Sequence, residues 1–216
     1  MNLVKVGLCG LCAVPAVDLW LVLEHMDRHS IRAYDYRFLS LGVAETGAWA
    51  FIFLFIALSC TPVQHLTGFR WPGELRRTLG LVAFFYSLLH FLVYIVIGQK
   101  LRWDYAFLDA LSQKSRIPGW LALLLLLPLA VTSTDGMIRR LGAKRWKNLH
   151  RLVYLATALA ILHLAWTEHD NQTYDYHRTK NVLVPFVILM ALRFVPLSSL
   201  RKKLQKLVST RSSPDR

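Results

Sequence analysis

Cysteine is scarce in this chain of 216 residues, with three in all. Cys9, Cys12 and Cys60 lie inside apolar runs. Cys9 and Cys12 have CxxC spacing, but no second pair exists to complete a thiolate metal site, so all three read as small buried apolar residues. Acidic residues are also few, 13 Asp and Glu against 26 Lys and Arg, for a formal net charge of +13. No internal repeat is visible, nor a glycine-rich loop that would cradle a phosphate. Nothing in the chain reads as a separate soluble domain, and so nothing reads as a nicotinamide- or flavin-binding module. The first apolar run has no basic leader beyond Lys5 and no small-residue cleavage site. It is therefore expected to be a retained anchor, not a signal peptide.

Apolar residues are abundant instead, at 55%, and the mean hydropathy is positive. That is too apolar for an ordinary soluble domain carrying so much charge. The two facts agree because the charges cluster at 67–78, 99–116, 139–151 and 193–216, with apolar stretches between. This is the pattern of a multi-span membrane protein. The basic excess then reads as the positive-inside rule and attraction to anionic lipid, and not as a nucleic-acid surface.

The expected fold is an all-α bundle of six transmembrane helices forming one integral membrane domain over 1–216. The spans fall at about 4–23, 39–60, 79–98, 118–134, 149–167 and 180–197. Asp18 in the first span is expected to reach the interface, Pro62 to follow the end of the second, and Pro118 to open the fourth. The 99–117 connection contains WDYAFLDAL, an amphipathic stretch suited to an interfacial helix. Asp135 and Gly136 are expected to break the chain into a basic loop over 135–148. Trp71, Trp103 and Trp146 near span ends read as interface anchors. The tail 198–216 begins basic and amphipathic. Nearly twice as many lysines and arginines fall on the side of the termini as on the other, which places both termini in the cytoplasm.

Three histidines sit in or at the ends of apolar spans: His90 in LVAFFYSLLHFLVYIVIG, and His150 and His163 in KRWKNLHRLVYLATALAILHLAW. Such a histidine is costly without a partner, and a metal is a good one. With the termini inside, His90 lies ~16 Å and His163 ~21 Å above the inner ends of their spans. Two imidazoles at similar depth on neighbouring helices can clamp one iron from both faces, as in a low-spin haem that transfers electrons. His150 lies near the inner end, in basic surroundings. A second haem would want a partner about thirteen residues before His90, where Arg76 and Arg77 stand, so a single dominant haem is expected. His150 can ligate through another partner, donate to a haem propionate or meet a flavin phosphate. Arg76, Arg77, Arg139, Arg140 and Arg145 are topology determinants that can also hold propionate or phosphate. His25, His29, His169 and His177 fall in connecting segments and read as solvated, and His65 as interfacial.

The stretches RRTLGLVAFFYSLLHFLVY and PLAVTSTDGMIRRLGAKRWKNLHRLVYLATALAILHLAW resemble the MsrQ family. These are haem-binding membrane subunits of the bacterial periplasmic protein-methionine-sulfoxide reductase system, within the ferric-reductase-like transmembrane superfamily. The resemblance runs from about Ala44 to Val195. It implies a b-type haem, an associated FMN and location in the bacterial inner membrane, with His90, His150 and His163 as the family histidines. It also implies electrons taken from the quinol pool or a cytosolic flavin reductase and delivered to a periplasmic molybdopterin subunit, which itself reduces the sulfoxide. Arg77 and Arg145 join the three histidines as candidate cofactor contacts. Members often read His-x-Thr-Gly at the entrance of the second span, where this chain has Ala44-Glu45-Thr46-Gly47. The alternatives are a stand-alone ferric or quinone reductase of the same superfamily, and a non-redox scaffold or transporter in which the histidines are packing contacts.

Overall fold

The computed structural model describes residues 34–69, 71–170 and 184–189, with a few isolated positions besides. Every regular element among the described residues is helical. Helix α1 is Tyr34–Thr67, and α2 is Trp71–Val93, which continues into a π-turn at Tyr94–Gly98. Then come α3 (Trp103–Ser112), α4 (Arg116–Val131), α5 (Asp135–Leu141), α6 (Ala143–His150) and α7 (Leu152–Asp170). Three stretches are long and apolar enough to cross a membrane: Gly42–His65, Trp71–Val96 and Ala143–Thr167. The pair α3 and α4, bent by 115°, makes a fourth if counted as one span. The expected first and sixth spans and the tail lie outside the described residues, apart from a helical turn at 184–189.

Two helix pairs form the frame. α1 packs along α2, and α4 along α7, with a smaller contact between α2 and α4 joining them. The seams hold small residues: Ala50, Ala57, Ala83, Ala122 and Ala156 are all buried. Small side chains let helix backbones approach closely, which matters where lipid tails remove the hydrophobic drive between helices. Large apolar residues such as Ile52, Ile56, Phe85, Leu124, Val131 and Leu155 face outward. An apolar exterior is what a bilayer requires.

Several element boundaries differ from the sequence expectation. Pro62 does not stop the second span; α1 runs through it to Thr67. The stop is Gly68, whose φ of +76° ends the helix while its N–H bonds the Gln64 carbonyl at 2.9 Å. Such a left-handed terminal residue favours glycine. The expected 135–148 loop is two short helices. Thr134 caps the first by accepting from the Met137 N–H at 3.3 Å, so the Asp135-Gly136 pair begins a helix instead of breaking one. The fifth span is likewise entered through α6, with tight i→i−3 hydrogen bonds around Arg151 marking the join to α7. The short helix expected in the 99–117 connection is α3.

Candidate functional site

His90 on α2 and His163 on α7 meet across the two helix pairs. Their rings stand edge to face with centroids 6.1 Å apart and planes at 74°. Both rings are held by the same device. His90 Nδ1 donates to the Val43 carbonyl at 2.8 Å, and His163 Nδ1 donates to the Ser115 carbonyl at 2.6 Å. A carbonyl can only accept, so the proton sits on Nδ1 and Nε2 keeps its lone pair. No hydrogen bond among the described residues engages either Nε2.

Four residues beyond each acceptor stands a glycine, Gly47 after Val43 and Gly119 after Ser115. A Cβ on Gly47 would lie 3.0 Å from Nδ1 and Cε1 of His90, and one on Gly119 would lie 3.0 Å from Nδ1 of His163. On a helix, residue i+4 stands over the carbonyl of residue i. Removing its side chain opens that carbonyl sideways to a second donor and lets the ring lie against the backbone. Thr46, 2% exposed, adds its Oγ1 at 3.4 Å from His90 Nδ1. Ala44 is exposed, while Thr46 and Gly47 lie against the His90 ring.

This donor set can be tested against a metal. Imidazoles on opposite faces of one metal, each with a bond of about 2 Å, have ring centres roughly 6 Å apart. The pair supplies only two ligands, and among the described residues no group of three or more His, Cys, Asp or Glu gathers to hold a bare ion. Two facing ligands suit a metal that brings four nitrogens of its own, as haem iron does. The backbone acceptors behind each ring match the outer-shell hydrogen bonds that orient metal-bound histidines. The residues present therefore fit a haem.

His150 is arranged differently. Its ring stacks on Trp146 with centroids 3.9 Å apart. Nδ1 lies 3.1 Å from the Trp146 carbonyl and Nε2 lies 3.3 Å from Ser133 Oγ, so both nitrogens are engaged. The Trp146 indole N–H donates to the Thr132 carbonyl at 2.9 Å. Trp146 thus ties α6 to the end of α4 rather than standing as a free interface anchor. Beside His150 lies a cleft of about 300 Å³ lined by Arg76, Trp146, Lys147, His150, Arg151 and Tyr154. Its lining holds several cations and no acid, which suits an anionic group. Arg77 points elsewhere, into an exposed ion pair with Asp135. Arg145 is exposed and does not line the cleft.

Sequence reasoning found the histidines but not their seats. Gly119 and the Ser115 carbonyl carried no signal in a single sequence, because an acceptor four residues before a glycine becomes meaningful only once the opposing ring is known. Thr46-Gly47 was visible as part of a pattern, without its contact to His90.

The helical frame and paired histidines define a class, membrane bundles that present facing imidazoles. Residues 41–161 match the family of the ferric reductase like transmembrane component. That range spans both glycine seats, His90 and His150, and stops just before His163. A "Protein-methionine-sulfoxide reductase heme-binding subunit MsrQ" from Ralstonia nicotianae is 35% identical over 193 residues, 89% of this chain and 85% of that protein. A protein of the same name from Rhodospirillum rubrum is 50% identical over 119 residues, 55% of this chain and 57% of that protein. Magnetosome protein MamZ of Magnetospirillum gryphiswaldense is 42% identical over 140 residues, 64% of this chain but 22% of that longer protein. No solved structure matches the chain. The chain belongs to the ferric-reductase-like transmembrane family and, within it, to the MsrQ family.

Proposed function

We propose that this chain is a haem b electron-transfer subunit of the bacterial inner membrane. In this reading it takes electrons from a quinol or a cytosolic flavin reductase and passes them to a periplasmic molybdopterin subunit that reduces methionine sulfoxide in proteins. The chain itself does not touch the sulfoxide. The observation that carries the reading is the His90–His163 pair, 6.1 Å apart with both Nδ1 atoms on backbone carbonyls. Membership of a family whose relatives are named as heme-binding subunits supports it.

When bound, the haem would supply reversible one-electron chemistry. The protein's part is positional. Val43 and Ser115 fix the imidazole tautomers, and Gly47 and Gly119 let the rings seat against neighbouring backbones. Ligands held before the metal arrives need little rearrangement on a change of charge. With six spans and cytoplasmic termini, the α3 end faces the periplasm and the cleft at His150 faces the cytoplasm. FMN, which rests on resemblance, would find its phosphate cations there, at Arg76, Lys147 and Arg151.

The test is the dithionite-reduced minus oxidised spectrum of the purified chain beside His90→Ala and His163→Ala. A sharp b-type alpha band, lost in both variants, is expected. A protein still colourless after reconstitution with haem would point to the scaffold or transporter alternative.

A further inference from the structure

The two histidine seats share a design but differ in what holds their acceptor carbonyls. Val43 lies well inside α1, with helix on both sides of it. Its carbonyl is fixed by the helical ladder. Ser115 instead is the cap residue just before α4, beside the 115° bend between α3 and α4; its carbonyl is the first acceptor of the α4 ladder, with no helical turn before it. A helix end has no ladder before it and frays more readily. Ser115 is nevertheless only 2% exposed, and its carbonyl makes the shorter of the two histidine contacts.

What spans the bend is a polar cluster. Asp109 on α3 forms an ion pair with Arg116, the residue following Ser115. The same carboxylate accepts from the Tyr94 hydroxyl, and from Gln99 Nε2 at 3.1 Å. Gln99 Nε2 also lies 3.2 Å from the Tyr94 hydroxyl, and the Arg116 guanidinium lies over the Tyr94 ring at 5.2 Å. Tyr94 begins the π-turn that ends α2, the helix carrying His90. The cluster therefore ties three segments together: the end of the His90 helix, α3, and the first turn of the helix that supplies the acceptor for His163. Both charged side chains are about three-quarters enclosed, at 26% and 23% exposure. By contrast the other ion pair on α3, Arg102 with Asp104, is 57% and 63% exposed and ties only neighbours in sequence.

We propose that the Asp109–Arg116 pair, braced by Tyr94 and Gln99, is a positioning device for His163: it anchors the first turn of α4, whose ladder begins at the Ser115 carbonyl, in place of the preceding helix that anchors Val43. It holds that carbonyl against Nδ1 and thereby sets the ring's orientation and basicity. A stronger acceptor behind a metal-bound imidazole makes it a better donor and favours the oxidised metal. Loosening the pair raises the reduced fraction at a given potential. This inference rests on the haem reading, and its test separates the two.

The experiment is a redox titration of the full chain in lipid nanodiscs, with low-temperature electron paramagnetic resonance of the oxidised form. Asp109→Asn is expected to keep its haem and shift the equilibrium toward the reduced form by about tenfold, ~59 mV for a one-electron couple, with altered resonance positions. Removing an anion beside a cation would also favour the reduced form, so Asp109→Asn/Arg116→Gln decides between charge and position. The double variant removes both charges and is expected to retain the shift. Return of the double variant to the wild-type potential, or a wild-type titration of Asp109→Asn, would overturn the proposal. Tyr94→Phe removes one hydroxyl only and covers the case in which Asp109→Asn does not fold. A smaller shift in the same direction is expected, and no shift counts against the proposal. Asp104→Asn is the control and stays at the wild-type value. A colourless wild type would sink the haem reading itself, whereas a coloured wild type with unresponsive variants sinks only this inference.

Discussion

The His90–His163 site and the His150 cleft lie in one bundle and are built on opposite principles. At the first, each imidazole spends Nδ1 on a backbone carbonyl, and no hydrogen bond among the described residues engages the other nitrogen. At the second, both nitrogens of one imidazole are engaged and the ring is stacked on an indole. The first site is lined by helix backbone and glycine, the second by long cationic side chains. Backbone holds geometry to a fraction of an ångström, whereas lysine and arginine supply charge on mobile stems. The contrast teaches that a histidine in a membrane span is not by itself a ligand. What decides is whether the fold leaves it a lone pair and a fixed direction.

The glycine seats give the sharpest way to break the comparison. Gly119→Ala and Gly47→Ala each place a methyl 3.0 Å from an imidazole, and the ring must move away from its acceptor. Both are expected to lower haem retention by about tenfold, the scale of lost outer-shell support, measured as haem per protein after gel filtration. Gly80→Ala, where nothing lies within 4 Å, is the control and keeps full haem.

His150→Ala tests the other side. With both nitrogens engaged and no facing imidazole among the described residues, its loss is expected to leave most of the alpha band in place. A pyridine haemochrome count of one haem per chain accompanies that expectation. Two haems, one of them lost with His150, would erase the distinction between the sites.

Trp146→Phe keeps the stacking on His150 but removes the indole donor to the Thr132 carbonyl. A loss of about 1 kcal/mol in stability is expected from one hydrogen bond, read by thermal or denaturant unfolding in detergent. The smallest effect belongs to Arg77→Gln. Its ion pair with Asp135 is exposed, at 42% and 69%, and such pairs contribute roughly 0–1 kcal/mol. Unchanged spectra are expected, since Arg77 does not line the cleft. A lost or shifted alpha band would return Arg77 to the cofactor.

Much of this was legible in the linear chain. Apolar run length and charge segregation mark membrane spans because the bilayer core excludes charge over a fixed thickness, and no folding detail alters that. The same one-dimensional logic set His90 and His163 at matching depth, where their rings meet, and expected a helix at the amphipathic stretch, where α3 forms. Helix ends were less legible. Pro62 looks like a stop, yet a proline inside a membrane helix costs little when neighbours pack around it, and α1 continues to Gly68. Asp135-Gly136 looks like a break, yet Thr134 supplies the cap that makes it a beginning.

Composition and the spacing of apolar runs, then, pointed to a helical membrane protein and to the candidate ligands, because those depend on how each residue partitions between water and lipid. Tertiary structure alone decided which imidazole nitrogens meet backbone carbonyls, which glycines lie against a ring and which segments an ion pair at a bend ties together. Those properties belong to contacts between residues far apart in the chain, Val43 with His90, Ser115 with His163 and Tyr94 with Asp109. Periodicity can place each partner on a helix, but only packing brings the two helices to the distance at which a hydrogen bond forms.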